Sequence, residues 1–265
     1  MASKYAASSL YGLVSERLSP LLSENSANLK NRLEEAINDA IEELHSNFLR
    51  VAAKSPGGVM SKSGTTVTIF YVSNDHVIIA NLGDSRAILS KGANYKSGRL
   101  SASAIQLTVD HTASDDNEKK RIKDLGGTIK ERGGIERLDG LLAITRSIGD
   151  AHLQQFTSRK AHVLAMTKDE MKKMCMPDML HNERVSDEIT QNIPCFLVLA
   201  SDGLWDVVPN EEVINIVVDV LQQESEQNLI WNHEDAFQEA AQRLTHEAYV
   251  RGSTDNIGVC VIAII

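Results

Sequence analysis

Apolar residues recur along the first fifty positions at intervals of three and four. Leu10, Leu13, Val14 and Leu18 mark one amphipathic segment, which Pro20 is expected to close. Leu29, Leu33, Ile37, Ile41, Leu44 and Phe48 mark a second, predicted over residues 28–51, with acids and amides on its other faces. Both read as helices that pack against a sheet and carry no chemistry of their own. Pro56, Gly57 and Gly58 then break the helical period. Residues 65–71 are β-branched and aromatic, residues 76–80 are apolar, and Asn74-Asp75 between them reads as a hairpin turn. Residues 87–89 predict a third short strand. Ser114 is expected to cap a helix over about 115–124, ended by Gly126-Gly127. A short apolar run covers 141–144.

Between about 152 and 192 the pattern is weak, except that Thr167 and Glu170 have the spacing of a capping box. Phe196–Ala200 is a short, wholly apolar strand. Helices are predicted over about 210–222 and 235–250, and residues 257–265 form a last β-branched strand. Hairpin strands with helices inserted in pairs predict an α+β fold, a layered sandwich of antiparallel sheets rather than a doubly wound parallel sheet.

Charge and composition narrow the function classes. The net charge is −9 and the basic residues are dispersed, which argues against nucleic acid as a partner. No apolar run is long enough to span a bilayer, so no membrane partner is expected, and residues 1–10 lack the features of a signal peptide. The three cysteines, Cys175, Cys195 and Cys260, form no Cys-x-x-Cys pair. Cys195 and Cys260 sit in apolar runs and are expected in the core of an intracellular, cytoplasmic protein kept reduced. Met171, Met174, Met176 and Met179 could line a docking face or be local core.

Three acidic positions stand apart. Asp202 and Asp206 follow the strand Phe196–Ala200, and Asp255 precedes the final strand. If those strands are antiparallel neighbours, Asp202 and Asp255 share one edge of the sheet. Asp84, in the turn Gly83-Asp84-Ser85-Arg86, could join them. Clustered carboxylates repel and need a cation, and oxygen-only donors point to Mg²⁺ or Mn²⁺ rather than zinc. The bland reading is that each aspartate is a turn residue or cap.

The reaction enters by resemblance. Ser63-Gly64-Thr65-Thr66, the stretch from Asn81 to Ala87, Asp110-His111-Thr112, the stretch from Glu118 to Ile122 with Gly126-Gly127, and the run from Leu142 to Asp150 occur in one order. Ala200-Ser201-Asp202-Gly203-Leu204-Trp205-Asp206 and Gly252-Ser253-Thr254-Asp255-Asn256 complete it. Together they resemble the protein phosphatase 2C family across nearly the whole chain. The resemblance implies two stacked antiparallel sheets flanked by helix pairs, and a two-metal site where a bridging water attacks phosphoserine or phosphothreonine in a phosphoprotein substrate. By motif position Asp202 and Asp255 are implied as direct metal ligands, and Asp84 and Asp206 as outer carboxylates of a weaker third metal. Thr66, Gly203 and Asn256 are implied behind the ligands. Arg86, Asp110, His111, Arg146 and Asp150 are expected in structural roles such as ion pairs and caps.

The whole of 1–265 is expected to act as one monomeric phosphatase-type domain, with an irregular flap-like insertion at about 152–192. The family pattern also puts two strands ahead of Met1, bearing further metal ligands and a histidine. With those first strands missing, the two-metal site is expected to be incomplete and the chain alone inactive or nearly so. The competing expectations are a phosphatase-like binding module or a truncated isoform.

Overall fold

The apolar stripe predicted over 28–51 is a helix because Leu33, Ile37, Ile41, Leu44 and Phe48 all fall on one face, and all five are fully buried. A computed structural model describes residues 1–24, 28–55, 62–96, 99–176, 194–227 and 233–264. The chain divides into two compact units, each assembled from two stretches: Met1–Ser85 with Thr108–Met166, and Arg86–Leu107 with Thr167–Ile265.

The first unit opens with helices α1 (Ala2–Leu22) and α2 (Leu29–Ala53), which pack on each other. Pro20 lies inside the last turn of α1 instead of ending the segment. Strands β1 (Gly64–Thr65), β2 (Val67–Val72) and β3 (His76–Leu82) follow. β2 and β3 are antiparallel, with Val72 opposite Val77. The Ser73 N–H donates to His76 O at 2.9 Å, which closes the hairpin at the predicted turn. The helix pair and this hairpin share one core, in which Leu18, Leu33, Ile37, Ile78 and Leu82 meet.

The second stretch of this unit holds the predicted helix and a hairpin that periodicity missed. Helix α3 (Asp116–Asp124) is capped by Asp115, whose carboxylate accepts from the Glu118 N–H at 2.9 Å. The expected cap, Ser114, instead bonds the Thr112 hydroxyl. Gly126 takes a positive φ of 82° after the helix, as a helix-terminating glycine does. A hairpin of β6 (Ile129–Arg132) and β7 (Ile135–Leu138) turns at Gly133-Gly134. The run 141–144 is no strand: Leu142 and Ile144 make single bridges and Leu141 is exposed. Two-residue β8 (Ile148–Gly149) pairs with β1, and β9 (His162–Thr167) adjoins β3.

The second unit is built on the sheet order β11-β10-β4-β5, from β4 (Arg86–Lys96), β5 (Arg99–Gln106), β10 (Phe196–Ala200) and β11 (Val259–Ala263). All three pairings are antiparallel. β4 runs well past the predicted 87–89, and β5 has no counterpart in the predicted strands. Helices α6 (Asn210–Gln227) and α7 (His233–Val250) pack on each other and share a core with the sheet through Val213, Val217, Leu221, Phe237 and Leu244. Short α5 (Asp202–Trp205) caps β10. The fold is α+β, with antiparallel sheets and a helix pair in each unit; two small two-stranded sheets, β1-β8 and β6-β7, add to the two larger ones.

Within the weakly patterned region, α4 (Lys168–Cys175) starts with the expected capping box: Thr167 Oγ1 accepts from the Glu170 N–H, and Glu170 reaches back to the Thr167 N–H. Met171 in α4 is core, and Met176, just after the helix, is exposed. Residues 177–193, Met179 among them, lie outside the described residues, as do Pro56, Gly57 and Gly58. The cysteine reading is corrected here. Cys175 and Cys195 are joined as a disulfide, and Cys260 is exposed on β11. Hydrophobic neighbours in sequence did not make Cys260 core, because alternate residues of an edge strand face opposite ways.

Candidate active site

The sheet register brings the predicted carboxylates of the second unit to one place. Ala200 at the end of β10 is paired with Val259 at the start of β11 and with Arg86 at the start of β4. Asp202 and Asp255 each lie beyond those paired ends, at the same edge. Ser201 ties the two arms together. Its N–H donates to Gly258 O at 3.0 Å, its hydroxyl donates to Asn256 O at 2.8 Å, and the hydroxyl accepts from the Gly258 N–H at 3.0 Å. The close approach also needs Gly203, since a Cβ there would sit 2.6 Å from Asn256 O.

Asp202 is half-buried in the first turn of α5 and accepts from the Gly203 N–H at 2.9 Å. Burial pushes its carboxyl above the usual range, and the charges of Asp255 and Asp206 push it further the same way. Asp206, the C-cap of α5, and Asp255 are both exposed. The Asp255 carboxylate accepts from the Asn256 N–H at 2.6 Å. The floor is rigid: Trp205 Nε1 donates to Ala200 O at 2.8 Å, and the Arg86 guanidinium stacks 5.3 Å from the Trp205 ring while bonding Asn210.

Asp84 belongs to the first unit and is held there by its neighbours. Gly83, at φ +108°, is clasped on both sides. Its N–H donates to His111 Nδ1 at 3.2 Å, and its carbonyl accepts from the His111 N–H at 2.9 Å and from Asn81 Nδ2 at 3.0 Å. Thr66 lies over Gly83 where a Cβ would stand, and its hydroxyl bonds Ser85 at 2.8 Å. Thr66 thus braces the turn on either side of Asp84. Burial and the nearby Arg146 hold His111 down to about 4, so it stays a neutral acceptor.

Other motif residues are tied into the fold. Glu118, fully buried, carries Arg146 on one oxygen and Arg121 on the other. Burial opposes its charge, but hydrogen bonds from both arginines win and hold it down to about 2. Asp150 is buried in a left-handed conformation and accepts from the Ser147 hydroxyl at 2.6 Å. Ser201 is the residue that sequence reading undervalued; the available signal was a serine between an apolar strand end and a motif aspartate.

Donor chemistry and charge around Asp202 suit a hard divalent cation. Among the described residues, however, no three His, Cys, Asp or Glu side chains gather in a metal-holding group. Within the described residues, the carboxylates at the end of β10 therefore offer a cation a partial set of ligands. No described helix is long and apolar enough to cross a membrane.

The chain is 33% identical over 227 residues to "Probable protein phosphatase 2C 59" of Arabidopsis thaliana, an alignment covering 86% of this chain and 57% of that protein. Among solved structures it resembles a C. elegans sex-determining protein, with a TM-score of 0.67 and 20% identity, over 99% of this chain and 53% of that one. It also resembles serine-threonine phosphatase 2C from Toxoplasma gondii, with a TM-score of 0.66 and 18% identity, over 98% and 80% of the two chains. The chain thus spans little more than half the length of the curated relative. The protein phosphatase 2C profile matches residues 1–257, through both units, and the chain belongs to the protein phosphatase 2C family.

Proposed function

We propose that this chain contributes to hydrolysis of phosphoserine and phosphothreonine in proteins, with low turnover expected of residues 1–265 alone, and with Asp202 and Asp255 as ligands of a divalent cation, Mg²⁺ or Mn²⁺. The observation that carries the proposal is the position of Asp202 and Asp255 just beyond the paired ends of β10 and β11, with Asp202 raised by burial and then by the charges of Asp255 and Asp206. A cation bound there would supply an acidified water and would withdraw charge from a phosphoryl oxygen. The chain's own part is positioning. Ser201 and Gly203 fix the separation of the two arms, Asn256 supports Asp255 through its N–H, and Trp205 with Arg86 prevents α5 from shifting. Asp206 adds negative charge beside Asp202, and Asp84, on its own braced turn in the first unit, is read as an outer carboxylate, as is Asp206. Residues 1–265 are read as one phosphatase-type domain, in keeping with a family match that runs through both units.

A second reading, a phosphatase-like binding module, is favoured by the lack of a three-ligand group among the described residues. Release of phosphate from a phosphothreonine peptide by residues 1–265, with Mn²⁺ or Mg²⁺ and with Asp202→Asn alongside, separates the two. Metal-dependent turnover that disappears in Asp202→Asn supports hydrolysis. Peptide binding without turnover supports the module.

A further inference from the structure

We propose that Cys175 and Cys195 are a reversible dithiol–disulfide pair, a modification site that takes a small-molecule disulfide as its oxidant and fastens the end of α4 to the start of β10. Cys175 is the last residue of α4, and Cys195 immediately precedes β10. They are bonded in the structure with Cα atoms 5.9 Å apart, within the span a disulfide needs.

Independent packing sets that separation. α4 is anchored by its capping box and by fully buried Met171. β10 is held on both sides, by β4 and β11, and Cys195 O accepts from the Ile264 N–H at 2.7 Å. None of these bonds involves either sulfur. The thiol form is also provided for: Cys175 Sγ lies 3.3 Å from Met171 O, and Cys195 Sγ lies 3.7 Å from Ser90 O. A reduced pair has a carbonyl acceptor for each S–H without backbone movement. Both residues are half-buried, so a small disulfide can reach them.

The exchange balances with oxidised glutathione as oxidant. One cysteine thiolate attacks a glutathione sulfur, breaks the S–S bond and releases one glutathione thiolate. The second cysteine thiolate attacks the protein sulfur of this mixed disulfide and releases the other. The protein gives up two electrons and two protons, and one oxidised glutathione becomes two reduced glutathiones. The closed pair links residues 20 apart, which restricts the unfolded chain and raises stability. It does so at the strand whose other end leads into Asp202.

The test equilibrates the full 265-residue chain over a series of reduced-to-oxidised glutathione ratios, quenches with acid, alkylates, and maps the cysteines by mass spectrometry. One reversible transition is expected, with a Cys175–Cys195 cross-linked peptide in the oxidised form and Cys260 alkylated throughout. The oxidised form should melt about 5–10 °C higher. Cys175→Ser should abolish the transition, and Cys260→Ser should leave it unchanged. Alkylation of both cysteines at the most oxidising ratio, a disulfide that includes Cys260, or a pair that stays closed in excess reduced glutathione would each overturn the proposal.

Discussion

Glu118 in the first unit and Asp202 in the second are both carboxylates withdrawn from water, and they titrate in opposite directions. Glu118 is held down to about 2 because two arginines each take one of its oxygens. Asp202 is raised because burial and two other aspartates act on it together. The first arrangement neutralises its charge with the chain's own groups and is complete as it stands. The second sets like charges against one another, and a cation bound there, as proposed, would offset them. A carboxylate that the fold has already satisfied is structural, while one the fold leaves in conflict is a candidate for function.

Glu118→Gln tests the satisfied side most strongly. It leaves Arg146 and Arg121 without their partner, and a loss of about 3 kcal/mol in unfolding free energy is expected in urea titration. An effect below a few tenths would mean the network is ornamental.

Acid probes the same unit. His111, held at about 4 in the fold, has an ordinary value near 6.5, so the unfolded chain binds more protons between those limits. Stability should therefore rise with pH across that window. It should fall by about 2 kcal/mol between pH 7 and pH 5 on account of His111 alone. His45 and His162, also held low chiefly by burial, act in the same direction. The Glu118 contribution persists in this window and is lost only as pH falls from about 4.5 towards 2. Thermal melts at pH 7, 6 and 5 read this, and His111→Gln, which keeps an acceptor, should flatten the slope.

At the unsatisfied site, Gly203→Ala drives a Cβ into Asn256 O and should cost about 1–2 kcal/mol by forcing the two arms apart. The rise in melting temperature produced by added Mn²⁺ should shrink with it. Asp255→Asn gives the smallest effect and the most telling sign. Without metal it should stabilise the chain by about 0.5 kcal/mol, by removing a like charge from exposed surroundings, and it should abolish the Mn²⁺-induced rise. Destabilisation by Asp255→Asn without metal would mean the two sites do not differ as described.

Periodicity and turn chemistry were sufficient for elements that own their hydrophobic pattern. The stripe of α2, the wholly apolar β10, the hairpin at Asn74-Asp75 and the capping box at Thr167 could be read directly, because each is decided within a few residues of itself. The aspartates, too, could be picked out from their place beside strand ends. Tertiary structure decided what depends on distant partners. β5 and the far half of β4 carry few large apolar residues and exist because each pairs with the other. The Cys175–Cys195 bond joins residues 20 apart, and no local pattern reports it. The opposite fates of Glu118 and Asp202 were equally hidden. A carboxylate looks the same in sequence whether arginines or aspartates will surround it, and its charge state depends on those neighbours more than on its own chemistry.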